Sequence, residues 1–246
     1  MKYKVFKIKI TDKCNRQCYF CIFNSNSCEM SSEQFKFIID LLHNDKDIDF
    51  DKLHINGGEP LIHHSFVEMS QYAKELYPDK IFVLGTNAIP LDNNPELLSF
   101  VCKNYQEIVI GCDDEHQNID ILFRVIPRIR ELSEDITIVI NSVIEYTSQS
   151  TFKKIEELKD KYEIITVCNH ICHIKKGLPI NKLTRGVCKN KNSVLLIQEN
   201  GDFYRCFNCS VPDDKEGNIF DKDFLLKVKK CNTGYYSYCP WCTHYE

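Results

Sequence analysis

The chain has 246 residues, 43% of them hydrophobic and 27% charged, with a formal net charge of −4 and 14 cysteines. That balance suits a globular protein with a sizeable core and leaves no basic footprint for nucleic acid. No apolar run approaches the roughly 18 residues of a membrane span, and no signal-peptide h-region precedes the first strand, so a cytoplasmic protein is expected. Intracellular thiols stay reduced, and so many of them point to metal ligation or catalysis rather than to a disulfide framework.

In chain order, "MKYKVFKIKI" alternates lysines with Tyr3, Val5, Phe6, Ile8 and Ile10, the pattern of a strand with one wet face. Residues 31–44 predict a helix capped by Ser31 or Ser32, with Phe35, Ile38, Ile39 and Leu42 on one face. A short strand, "KLHIN", then runs into "GGEP". The alternation continues with a helix near 64–77, the strand "KIFVLGTN", a helix near 95–104 and the strand "EIVIGCDD". A helix over 118–132, interrupted or kinked near Pro127, precedes the strand "DITIVINSVI". A helix near 151–161 leads to "EIITVC". Six β/α units with largely apolar strands imply a parallel sheet covered by helices, as an open sheet or an incomplete barrel. In such folds chemistry sits at the C-terminal ends of the strands. The first cysteines, "NGGEP", "GTN", "GCDD" and "NSV" all fall there.

The rhythm changes near residue 177. "SVLLIQENGDFYRC" reads as a β-hairpin, Val194–Gln198 against Phe203–Cys206, turning at Asn200-Gly201. Residues 220–230 read as an amphipathic helix, and the tail "YCPWC" closes the chain. Residues 177–246 thus form a small second unit after a 1–176 core domain, too short to bury a core without a metal.

Cys14, Cys18 and Cys21 are spaced C-x₃-C-x₂-C. Three thiolates can hold three irons of a cubane [4Fe–4S] cluster and leave the fourth open to a ligand bearing an amino and a carboxylate group. The competing reading is a zinc site completed by Cys28 or a histidine, or plain buried thiols. "NGGEP" places Asn56, Gly57, Gly58, Glu59 and Pro60 beside this loop. Glycines admit close backbone approach, and Glu59 can accept from a bound ammonium.

Taken together, the cysteine motif with Phe20 before its third cysteine, followed by "GGEP", resembles the radical S-adenosylmethionine (SAM) superfamily over residues 3 to about 170. The resemblance implies a partial (β/α)₆ TIM-like barrel. It also implies a [4Fe–4S] cluster on Cys14, Cys18 and Cys21 whose open iron takes the amino and carboxylate groups of SAM. Phe20, Gly57, Gly58 and Glu59 then fall at the cofactor. Asp113 and Arg124 in "GCDDEHQNIDILFR", Asn87, and Asn141 or Ser142 are further cofactor contacts by the same resemblance. The serine usual at the fourth strand end is replaced by Gly111 or Cys112, which leaves the ribose contact open. Reduction by a flavodoxin- or ferredoxin-type donor would release a 5′-deoxyadenosyl radical.

Cys188, Cys206, Cys239 and Cys242 by themselves read as a zinc ribbon. In context, C-x₁₂-G-x₄-C followed by C-x₂-C looks like the twitch module, the shortened relative of SPASM, which implies one auxiliary [4Fe–4S] cluster on those four. Cys209 is an alternative to Cys206 as ligand, and Cys231 is left over. A cluster with four protein ligands suits electron transfer. The expected reaction is therefore an oxidation: hydrogen abstraction, then electron loss to the auxiliary cluster. The substrate expected is a ribosomally made peptide. The alternatives are a small alcohol of the aminocyclitol kind, a redox-neutral epimerisation with Cys112 or Cys209 as hydrogen donor, and a zinc-stabilised binding protein without activity.

Overall fold

The computed structural model describes residues 2–21, 28–169, 194–204 and 215–230. Six parallel strands, β1 (Lys2–Lys9), β2 (Asp49–Asn56), β3 (Ile81–Thr86), β4 (Glu107–Gly111), β5 (Thr137–Val143) and β6 (Ile165–Asn169), lie side by side in sequence order. Between them run α1 (Ser32–Asn44), α2 (Phe66–Leu76), α3 (Ile89–Asp92), α4 (Pro95–Asn104), α5 (Ile119–Leu132) and α6 (Gln149–Tyr162). Every expected strand and helix of the core is present, and the architecture is the α/β barrel type anticipated. The four-residue α3 is the addition. It follows Ala88, which holds φ at +62°, and starts on Ile89-Pro90.

The period-2 alternation of the strands explains the register. Ile8, Ile55, Leu84, Ile108 and Ile138 pair in one row across five strands, and all are fully buried. Together with Phe35, Ile38 and Ile39 of α1 and Val125, Ile126 and Ile129 of α5 they form one hydrophobic core. The alternate row, Lys7–His54–Val83–Glu107, is polar and lies on the opposite face of the sheet. Ser31 caps α1 through a complete capping box with Gln34. Helix α5 is continuous through Pro127, over nearly the span its pattern predicts. The missing N–H leaves one carbonyl of the preceding turn without its helical donor.

The C-terminal segment joins this sheet. Strand β7 (Val194–Ile197) pairs in parallel with the free edge of β1, in the register Val5↔Val194 to Ile8↔Ile197. The expected hairpin is present, with β8 (Asp202–Tyr204) antiparallel to β7 and Gly201 at φ +83° in the turn. A two-residue strand, β9 (Gly217–Asn218), and α7 (Phe224–Lys230) follow; the helix starts four residues later than its pattern suggested. Phe203, Ile219, Phe224 and Val228 belong to the same hydrophobic core as β1 to β5, and the Tyr3 hydroxyl donates to the Val228 carbonyl at 3.1 Å. These residues solve the small-unit burial problem by sharing the barrel's core. The join is ionic as well. Lys9 at the end of β1 pairs with Asp12 and, at 2.9 Å, with Glu199 just past β7, and none of the three side chains is more than 7% exposed. The expected boundary at 176/177 falls outside the described residues, as do Cys188, Cys206, Cys209, Cys231, Cys239 and Cys242.

Candidate cofactor site

The cysteine loop leaves β1 and is fastened at its stem by backbone hydrogen bonds. Ile10 N donates to Asn56 O, Asp12 N to Cys28 O and Met30 N to Ile10 O, all within 2.8–2.9 Å. The "GGE" turn after β2 completes the stem, with Gly58 N on Thr11 O and Glu59 N on Lys13 O, both at 2.8 Å. A β-carbon at Gly57 would stand 2.6 Å from Thr11 O, and one at Gly58 would collide with the carbonyls of Asp12 and Lys13. The close approach these glycines allow is therefore to the cysteine loop itself.

Cys14, Cys18 and Cys21 are half-buried free thiols. Cys21 N donates to Cys18 O at 3.0 Å, and Arg16 N to Cys14 Sγ at 3.4 Å. Burial pushes the Cys14 thiol up, and it pushes Cys18 up to about 12 with help from Asp113, Cys21, Cys14 and Glu115. Cys14 and Cys18, resisting ionisation in a negative setting, need a bound cation to become thiolates, since metal binding reverses such shifts. Tetrahedral zinc with sulfur ligands at about 2.3 Å would draw its sulfurs to within about 4 Å of one another. Among the described residues, only Glu29, His63 and His64 bring three ligand atoms within 4.8 Å of each other. The three cysteine sulfurs do not all lie within that distance of one another. The Glu29 group is itself no metal site: Glu29 pairs with Lys13, and both ring nitrogens of His63 are engaged, by Met30 O and Ser65 N.

Glu59 is fully buried. Its Oε1 accepts from Leu61 N at 3.1 Å and Thr86 Oγ1 at 2.8 Å, and its Oε2 from Asn87 N at 2.7 Å. The carboxylate expected to meet an ammonium is thus committed to joining the ends of β2 and β3. Asn87, so positioned, donates through Nδ2 to Asn15 Oδ1 at 2.6 Å and reaches Cys14 Sγ at 3.9 Å. Burial raises the Glu59 carboxyl from 4.5 to about 7, against the pull of its three donors. The folded state therefore holds this proton more tightly than the unfolded chain. The group's favourable contribution is complete below pH 4.5 and is lost as pH rises through 7. In urea titrations of the metal-free protein, the stability of wild type relative to Glu59→Gln should fall by up to about 3 kcal/mol across that window. A constant difference would contradict a buried, proton-holding Glu59.

Across the mouth, the loop between β4 and α5 closes on the cysteine loop. Tyr19 N donates to Glu115 Oε2 at 3.0 Å and Arg16 to Gln117 O at 3.4 Å. The Phe20 ring lies 5.2 Å from Tyr146 and 5.7 Å from His116. Asp113 is buried; its Oδ1 accepts from Glu115 N, His116 N and His116 Nδ1. Asn118 Nδ2 ties Asn87 O to Gly111 O. Buried polar atoms around this mouth remain unsatisfied: Arg16 Nε, Asn56 Oδ1, Asp113 Oδ2 and Asn118 Oδ1. Such orphans are costly unless a polar ligand completes them. An amino-acid nucleoside fits that need.

Asn141 and Ser142 fall on opposite faces of β5. Ser142 is buried on the side of Ile138 and Ile140, and half-buried Asn141 shares the face of Gly111, its register partner. Arg124 lies on α5. It pairs with Asp92 of α3 through two nitrogens, with Nε–Oδ1 at 3.1 Å, and its side chain is 56% exposed. Cys112, one of the alternative hydrogen donors, is fully buried in the hydrophobic core. Strand alternation is the reason, since Gly111 takes the open face and sends its neighbour inward. His116 and Asn118 escaped the sequence reading because an isolated polar residue in a loop carries no periodic signal.

Comparison with known proteins agrees with this geometry. An S-adenosylmethionine-dependent nucleotide dehydratase from Selenomonas ruminantium is 29% identical over 167 residues, 58% of this chain and 57% of that protein. The chain spans between 28% and 57% of the curated relatives it matches. Among solved structures, SuiB of Streptococcus suis bound to precursor peptide SuiA superposes with a TM-score of 0.71 at 16% identity, covering 94% of this chain and 67% of that one. BtrN in complex with AdoMet and 2-DOIA superposes with a TM-score of 0.59 at 15% identity, covering 98% and 92%. The model of the Radical SAM superfamily matches residues 8–161, which takes in the end of β1, the cysteine loop, the "GGEP" turn and strands β2 to β5; the chain belongs to the radical SAM superfamily.

Proposed function

We propose that this enzyme holds a [4Fe–4S] cluster on Cys14, Cys18 and Cys21, binds SAM over it, and oxidises a ribosomally made peptide. The observation that carries the reading is the C-x₃-C-x₂-C trio set among unsatisfied buried polar atoms at the strand ends. When bound and reduced, the cluster supplies the electron that breaks the sulfonium and releases a radical able to remove a substrate hydrogen. The chain's own residues prepare that event. The "GGE" backbone and Glu59 fix the loop stem, Asn87 steadies Cys14, and Asp113, Asn56 and Arg16 offer the open polar positions. The Phe20 and Tyr146 rings pack against each other beside the loop. Arg124, held by Asp92, is left out of the contact set.

An auxiliary cluster on Cys188, Cys206, Cys239 and Cys242 would supply the electron acceptor, in a twitch-like unit over 177–246. The pairing of β7 with β1 brings the hairpin turn at Asn200-Gly201 to the cysteine-loop end of the sheet, while the outer ends of the hairpin, Val194 and Tyr204, lie toward Val5. The peptide reading is supported by likeness to SuiB, solved with its precursor peptide. A small-alcohol oxidation is the second reading, favoured by the end-to-end match with BtrN in both lengths. A flavodoxin- or ferredoxin-type protein is the proposed reductant. No helix among the described residues is long and apolar enough to cross a membrane.

Replacing Cys239 and Cys242 by alanine tests the oxidation. SAM cleavage should persist, with iron lower by about four per chain, while oxidised product disappears from incubations with a candidate precursor peptide or alcohol. Product formed at the wild-type rate would rule out the electron-acceptor role.

A further inference from the structure

Two donors converge on the Cys14 sulfur. The backbone N–H of Arg16 approaches Sγ at 3.4 Å, and the side-chain amide of Asn87 reaches it at 3.9 Å from the end of β3, 73 residues further along the chain. The amide has little freedom. Asn87 is 4% exposed, its backbone N–H donates to Glu59 Oε2 at 2.7 Å, and its carbonyl accepts from Asn118 Nδ2 at 2.7 Å. Asn87 Oδ1 accepts from Ile89 N at 3.0 Å, which fixes which end of the amide is which. Nδ2 therefore faces the cysteine loop, with one proton for Asn15 Oδ1 at 2.6 Å and the other for Cys14 Sγ. The next residue, Ala88, holds φ at +62°, a conformation that is unfavourable for a residue with a β-carbon. The surrounding contacts thus keep this turn in one shape against its local preference.

We infer that Asn87 sets how readily an iron–sulfur cluster on the cysteine loop accepts its electron: the Nδ2–H dipole, aimed at the Cys14 sulfur, stabilises the reduced cluster. This rests on the proposed cluster at Cys14, Cys18 and Cys21. Reduction adds one negative charge, shared between the cluster and its thiolates, and hydrogen bonds to the sulfurs are among the groups that set the potential. A donor already fixed in place favours the more negative state without rearranging. Asn87 acts through a ligand and touches no reacting atom, so it is a positioning residue. Asn15 has the opposite sign. The Cys14 thiol reaches Asn15 Oδ1 at 3.8 Å; once that sulfur is a ligated thiolate it has no proton to give, and the oxygen becomes an unfavourable neighbour.

The test is a dye-mediated redox titration of anaerobically reconstituted full-length protein without SAM, followed by electron paramagnetic resonance. It is run in the wild type and in a Cys239→Ala/Cys242→Ala background, which removes signals from a second cluster. Asn87→Leu fills the space of the amide but offers no proton. It should make the cluster about tenfold harder to reduce, which for one electron is a fall of about 59 mV. Asn87→Ala, the gentler change for packing, should shift the potential in the same direction. Asn15→Ala breaks the same Asn87–Asn15 bond but leaves the donor to sulfur, so its potential should match the wild type or lie above it. Iron content should be unchanged in all three, since no ligand is lost. An unshifted potential in both Asn87 variants, an equal fall in Asn15→Ala, or loss of iron from the Asn87 variants overturns the inference and leaves the cluster assignment standing. Wild-type protein that assembles no four-iron cluster on Cys14, Cys18 and Cys21 overturns both.

Discussion

Serine in place of Cys14, Cys18 and Cys21 is expected to remove about four irons per chain and to abolish SAM cleavage, with no residual rate above background. The size of the effect follows from the ligand chemistry. Serine cannot supply the soft thiolate that iron–sulfur clusters select, and each cysteine must serve a separate iron, so no neighbour compensates. The fold should survive, because the thiols are half-buried and contribute nothing to the hydrophobic core. Circular dichroism and the urea midpoint of the metal-free variant should match those of metal-free wild type. A collapse of the fold would instead mean that these cysteines are structural.

Lys9→Met is expected to be the most damaging single substitution for stability away from the hydrophobic core. Lys9 is the cation between Asp12, which leads into the cysteine loop, and Glu199, which follows β7. Removing one partner from a buried ionic cluster strands the others and costs about 3–5 kcal/mol. Two carboxylates would be stranded here. Burial already pushes the Glu199 carboxyl up, with Lys9 pulling against it and Asp12 adding to the rise. Combining Lys9→Met with Asp12→Asn and Glu199→Gln removes the charges as well as their partner and should recover most of the loss. Urea unfolding of wild type, Lys9→Met and the triple variant measures this. If the triple variant is no more stable than Lys9→Met, the damage comes from lost packing and the electrostatic account fails. Because the cluster spans the cysteine-loop stem and the C-terminal hairpin, Lys9→Met should also loosen iron retention at the N-terminal site.

The fold was readable wherever local pattern and tertiary demand agree. The row from Ile8 to Ile138 announces itself as alternating apolar residues within each strand, and the same alternation fixes the register. The cap at Ser31 and the helix face of Phe35, Ile38, Ile39 and Leu42 obey rules confined to one turn. The pairing of β7 with β1 obeys no such rule. It joins strands nearly 190 residues apart in sequence, and nothing within "SVLLIQ" says which edge it will cover. The helix across Pro127 draws on tertiary support: a proline's local penalty is tolerated when both sides of it bury Leu122, Val125, Ile126 and Ile129.

At the site, motifs disclosed the ligand set but not the division of labour. "GGEP" marked the right turn, yet Glu59 faces Thr86 and Asn87 because β3 ends beside β2, a fact of topology rather than of the motif. Arg124 sits at a helical spacing compatible with the mouth, and Asp92 on the unforeseen α3 captures it. Cys112 and Gly111 exchange expectations through the parity of one strand.

The central claim is that an incompletely ligated iron near the N-terminus binds SAM and breaks it reductively. Anaerobic reconstitution followed by SAM and dithionite tests it most directly, with 5′-deoxyadenosine and iron quantified together. Brown protein with iron at Cys14, Cys18 and Cys21 that yields 5′-deoxyadenosine and methionine in equal amounts is the predicted result. Colourless protein that holds zinc instead and yields no 5′-deoxyadenosine would contradict it.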